Sequence, residues 1–121
     1  MTVIQAIARM EGFYVHGSRA ARNCNPGNIN FAPWTKDYGA VLETIPDGIK
    51  EEPRFAAFPS ADQGWAALRY LLTSRYLGMT IAKAFNKYAP PAENQTNAYV
   101  AFVCKETGLH PESILTAENI G

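Results

Sequence analysis

The sequence predicts an α+β domain built from an N-terminal helix, a small β-hairpin insert and a C-terminal helical lobe. Three observations carry this. Apolar residues recur at helical spacing near the N-terminus, a Pro- and Gly-rich stretch of short apolar pieces runs from Gly12 to Pro59, and the helical period returns after Pro59. The chain has 121 residues, the size of one domain, and its 47% hydrophobic and 18% charged content is that of a globular rather than a disordered chain.

Val3, Ile4, Ile7, Ala8 and Met10 set the first helix, residues 3 to 11, with Thr2 as cap and Gly12 as stop. In the insert, Asn28-Ile-Asn-Phe31, Gly39-Ala-Val-Leu42 and Arg54-Phe-Ala-Ala-Phe58 read as short extended pieces. Pro26-Gly27 signals a type II turn, with Gly27 at the position of positive φ, and Pro46-Asp47-Gly48 signals another. Ser60-Ala-Asp-Gln63 is a capping box that opens a helix from 61 to about 76, with Trp65, Leu68, Leu71 and Leu72 on one face. Thr80 caps a helix over Ile81 to Tyr88, ended by Pro90-Pro91, and Thr96 caps another over Asn97 to Thr107, ended by Gly108. Pro111 begins a final short helix.

Composition excludes several classes of function. Eleven basic and eleven acidic side chains cancel, which argues against a chain whose main task is gripping nucleic acid. The charge is uneven all the same: residues 1 to 36 carry a net +3 and residues 37 to 62 a net −4. No run approaches the roughly 20 apolar residues of a membrane span. The first ten residues have no basic leader before their apolar positions, so no signal peptide is expected. Cys24 and Cys104 lack metal-ligand spacing and are expected as free thiols, and with His16 and His110 far apart no metal and no cofactor is expected.

Glu11 is the residue to explain. Positions 4, 7, 8 and 11 share one helix face, so an apolar stripe ends in a carboxylic acid. Partial burial and the negative end of the helix dipole both disfavour its ionised form, and an acid kept protonated can donate to a leaving group. Asn28 and Asn30 alternate with Ile29 and Phe31, so on a strand both amides project from one face, placed to bond sugar hydroxyls and acetamido groups. Trp34, Tyr38, Trp65 and Tyr88 offer rings that stack on sugars, although Trp65 lies on the apolar face of its helix. His16, five residues past Glu11, reads as a surface histidine.

Arg22-Asn-Cys-Asn-Pro-Gly-Asn-Ile29, Arg54-Phe-x-x-Phe58 running into Gly64-x-x-Ala67, Thr80-Ile81, Tyr88-Ala-Pro90, Glu93-Asn94 and Thr96-x-x-Tyr99 follow one another in order. This series resembles a small family of phage lysozyme-like proteins, variously described as phage structural proteins, endolysins or lytic transglycosylase-like muramidases. The matching pieces span roughly residues 7 to 108. The resemblance implies a lysozyme-like fold, peptidoglycan glycan strands as substrate, cleavage of the β-1,4 bond between N-acetylmuramic acid and N-acetylglucosamine, and Glu11 as the general acid. It also implies that Asn94 and Tyr99 lie close to the cleft, Tyr99 either supporting the oxocarbenium-like transition state or holding Glu11.

Cys24 departs from the family pattern, which has a polar residue such as Asn there. The second carboxylate is a larger departure, because residues 12 to 36 contain no Asp or Glu and the nearest candidates are Asp37, Glu43 and Asp47. A single acid fits lytic transglycosylation, in which the substrate's own 6-hydroxyl closes an anhydro ring, as well as hydrolysis. The alternatives are a non-catalytic virion or cell-wall-binding protein of the same fold, and a regulatory or toxin-like interaction domain. The enzyme reading expects a monomer made in the cytoplasm and delivered to the wall by phage lysis, a virion or a secretion machine.

Overall fold

The elements run α1 (Val3–Met10), α2 (Arg19–Arg22), a 3-10 helix (Pro33–Tyr38), β1 (Val41–Leu42), β2 (Ala56–Ala57), α3 (Ala61–Arg75), α4 (Ile81–Tyr88), α5 (Thr96–Thr107) and α6 (Ala117–Ile120). A computed structural model describes residues Met1 to Gly121. Mixed helices with one small antiparallel sheet agree with the predicted α+β class. The chain divides into two compact units, one formed by Met1–Met10 with Arg69–Gly121 and the other by Glu11–Leu68. No helix is long and apolar enough to cross a membrane.

The first unit is helical with an apolar core. Thr2 and Gln5 form a reciprocal cap on α1: the Gln5 N–H donates to Thr2 Oγ1 at 3.4 Å and the Thr2 N–H donates to Gln5 Oε1 at 2.9 Å. Val3, Ala6, Ile7 and Ala8 are buried, and α1 packs on α5 and α6. Thr80 caps α4, accepting from the Lys83 N–H at 3.2 Å, and Ile81, Ala84 and Phe85 face the core beside α5.

Two predicted helix starts in this unit are corrected. Thr96 does not cap α5: its hydroxyl donates to the Ala89 carbonyl at 2.5 Å, satisfying a group just past the end of α4, and Gln95 takes the cap position. No helix starts at Pro111. His110 and Ser113 close a turn through mutual bonds of 2.9 Å, after which Ser113 and Leu115 bond the backbone of Ile81 and Met79 at 2.9 and 2.8 Å. That extended pairing buries Leu115, and the helix waits until Ala117, where Thr116 caps it.

The second unit has a partly polar core, in which Asn23, Asn25, Thr35 and Glu43 are buried with Ala20, Ile29, Phe55, Ala56, Phe58 and Leu68. β1 and β2 pair antiparallel with Val41 opposite Ala57 and Leu42 opposite Ala56, joining two of the predicted extended pieces. The third, Asn28 to Phe31, contributes only a bridge from Asn30 to Phe55. α2 and the 3-10 helix fall in a stretch whose Pro- and Gly-rich texture predicts loop and hairpin, so the structure is more helical there than expected. Ser18 caps α2, accepting from the Ala21 N–H at 3.1 Å while donating to the Gly12 carbonyl at 2.6 Å.

The Pro26-Gly27 turn is also corrected. The Asn28 N–H donates to the Asn25 carbonyl at 3.1 Å, but the left-handed residue is Asn28, at φ 47°, rather than Gly27. Asn25 explains the shift. Its Nδ2 donates to the carbonyls of Ile29 and Ala56 at 3.0 and 2.9 Å, and its Oδ1 accepts from the Ile29 N–H at 2.9 Å. Two of these bonds draw Ile29 back towards Asn25, the third ties the amide to Ala56, and the reversal is left to Asn28. The start of α3 packs on this same turn: a Cβ at Gly64 would stand 1.9 Å from the Cys24 carbonyl oxygen, so only glycine fits.

Candidate active site

Glu11 directly follows the last residue of α1 and precedes Gly12, whose φ of 80° ends the helix. Its side chain is half-buried, and Asn28 Nδ2 donates to Glu11 Oε1 at 3.0 Å. The stop glycine and the left-handed Asn28 thus bring the helix-end acid and the last asparagine of Asn25-Pro-Gly-Asn28 together. Asn28 Oδ1 is buried and has no hydrogen-bond partner.

Asn30 does not join them. The left-handed backbone at Asn28 breaks the expected alternation, and the exposed Asn30 accepts from Arg54 Nε at 3.0 Å. Tyr88, Asn94 and Tyr99 belong to the helical unit. Tyr99 is 3% exposed and stacks on Phe85 with ring centres 5.1 Å apart, and the half-buried Tyr88 meets Phe85, Tyr99 and Tyr76 edge-on. Asn94 is exposed, its N–H donating to the Pro90 carbonyl at 3.0 Å. Trp65 supports Phe13, ring centres 5.5 Å apart, in the loop that follows Glu11. His16 is exposed in that loop, and Cys24 and Cys104 are free.

The candidate second carboxylates separate sharply. Asp37 and Asp47 are exposed, whereas no part of the Glu43 side chain is. Arg19 donates to Glu43 through Nε at 3.0 Å and Nη2 at 2.7 Å, Asn23 Nδ2 donates at 2.9 Å, and the backbone N–H groups of Arg54 and Phe55 donate at 3.0 and 2.7 Å. Burial by itself would push this carboxyl up, but the donors from Arg19, Phe55, Asn23 and Arg54 outweigh it and hold it at about 2. Glu43 is therefore a structural anchor held ionised at neutral pH, with both of its oxygens engaged. Arg19 in turn lies 4.4 Å over the Phe55 ring and donates to the Glu52 carbonyl at 2.7 Å.

This cluster was missed as a unit by reasoning from the sequence. The available signal was the charge imbalance, because Arg19 and Arg22 of the basic stretch pair with Glu43 and Glu51 of the acidic one. Two of the four cations in the basic stretch are thus neutralised by acids of the acidic stretch inside one folded unit.

Compared with known proteins, the chain matches no protein-family model and no curated protein.

Proposed function

We propose that this chain is a peptidoglycan-cleaving glycosidase of lysozyme-like fold, in which Glu11 serves as general acid and then as general base. The observation that carries this reading is the Glu11 carboxyl, set at the end of an apolar helix face and held 3.0 Å from the Asn28 amide. Asn28 closes the Asn-Pro-Gly-Asn segment that carries the family resemblance, so the motif and the acid meet in one place.

In this reaction Glu11 gives its proton to the glycosidic oxygen as the bond to the sugar C1 breaks, and the leaving sugar departs as an alcohol. The resulting carboxylate then takes a proton from the attacking oxygen, either of water or of the substrate's own 6-hydroxyl. The engagement of Glu43 by Arg19, Asn23 and two backbone amides argues against it as a second carboxylate. That supports a single-acid mechanism, for which attack by the 6-hydroxyl needs no further base.

The test is digestion of purified peptidoglycan by the wild-type protein and by Glu11→Gln, with the released muropeptides weighed by mass spectrometry. Anhydro products, lighter than reducing ends by one water, identify transglycosylation, and reducing muramic ends identify hydrolysis. Activity confined to the wild type identifies the acid. Silence of both beside an active control lysozyme sinks the enzyme reading and leaves a wall-binding or virion protein.

A further inference from the structure

Asn28 sits where its own chemistry is a poor fit. At φ 47° a glycine is at ease and a side chain is strained, although asparagine tolerates the region better than most residues. Its Oδ1 is buried without a partner, and a buried acceptor left unsatisfied is destabilising. Nothing in the turn requires the side chain, because the bonds that shape residues 25 to 29 come from the Asn25 amide and from the Asn28 backbone N–H. What the Asn28 side chain does instead is donate from Nδ2 to Glu11 Oε1 at 3.0 Å.

We propose that Asn28 is a positioning residue for Glu11, kept at a left-handed position against the interest of stability in order to fix the carboxyl and decide which oxygen carries its proton. In a carboxylic acid the carbonyl oxygen is the better acceptor. A donor at Oε1 favours that oxygen as the carbonyl and so favours Oε2 as the carrier of the transferable proton. Two unfavourable features for a single bond to one acid is the pattern of a residue retained for function rather than folding. The inference rests on the reading of Glu11 as the reacting acid.

The experiment compares wild type, Asn28→Gly and Asn28→Asp in thermal unfolding and in muropeptide release. Asn28→Gly suits the left-handed backbone and removes the unpaired oxygen, so its unfolding midpoint is expected at or above that of wild type, while kcat falls by about 100-fold with KM little changed. Asn28→Asp keeps the shape but turns an acceptor towards Glu11, so activity at neutral pH is lost and returns as the solution is acidified and an O–H replaces the missing N–H. A midpoint of Asn28→Gly clearly below wild type would make the side chain a structural support and overturn the proposal. Full activity of Asn28→Gly beside a silent Glu11→Gln would overturn it too. If the wild-type protein releases nothing, the Glu11 reading fails first, and the direction of the Asn28→Gly midpoint still decides whether the side chain is held against stability.

Discussion

Acidification should unlock the second unit through Glu43, and the size of the effect follows from the shell of donors around it. In the unfolded chain this carboxyl takes up its proton near 4.5, whereas in the folded protein it resists until about 2. The anchor's contribution is therefore complete above about 4.5 and is lost as pH falls towards 2. A displacement of that size corresponds to about 3 kcal/mol, a large part of the stability of an ordinary domain. Both tryptophans, Trp34 and Trp65, lie in this unit, so urea unfolding followed by tryptophan fluorescence reads it directly. Wild type should lose about 3 kcal/mol between the two pH values beyond the loss shown by Glu43→Gln. The variant has no titrating group at this position but should start about 3 kcal/mol lower at pH 7, because Arg19 is left without its counter-charge. Parallel pH profiles for the two proteins would refute the argument, since the buried carboxylate would then contribute no proton-linked stability.

Further predictions concern the turn beside it. Gly64→Ala forces a methyl to within 1.9 Å of the Cys24 carbonyl oxygen, a backbone atom that cannot swing aside. It should destabilise the protein by about 3 kcal/mol or more or prevent folding, as read by the same fluorescence assay. Cys24, at φ 50°, occupies the left-handed region with a residue ill suited to it. Cys24→Asn should raise stability by about 0.5 to 1 kcal/mol, and a loss in chemical denaturation would contradict the strain assigned to this position.

The helical half of the molecule was legible because its signals are local. Apolar spacing fixed α1 and α3, Thr80 and Gly108 marked the ends they were expected to mark, and each depends on residues within one turn of each other. The misses share a different cause. Thr96 bonds the Ala89 carbonyl instead of its own helix, and the segment after Pro111 pairs with Met79 to Ile81, so long-range partners displaced the local preference. The same applies to the site. The apolar stripe singled out Glu11, but the hydrogen bond from Asn28 depends on a left-handed backbone that the Asn25 amide imposes through Ile29 and Ala56. Glu43 gave no sign in its own neighbourhood of the sequence that it would be enclosed, because its donors come from Arg19, Asn23 and the strand at Phe55.

The division of the chain also sets an order of events during synthesis. Residues 11 to 68 form an uninterrupted unit, while the helical unit is assembled from residues 1 to 10 and 69 to 121. The Arg19–Glu43 anchor and the two tryptophans are all made before Arg69 leaves the ribosome, so the middle unit has every residue it needs while translation continues. α1 precedes the middle unit yet has Val3 and Ile7 to bury against α5 and α6, which follow it. Its apolar face therefore stays uncovered until residues beyond Arg69 have emerged, which makes α1 a natural client for a nascent-chain chaperone.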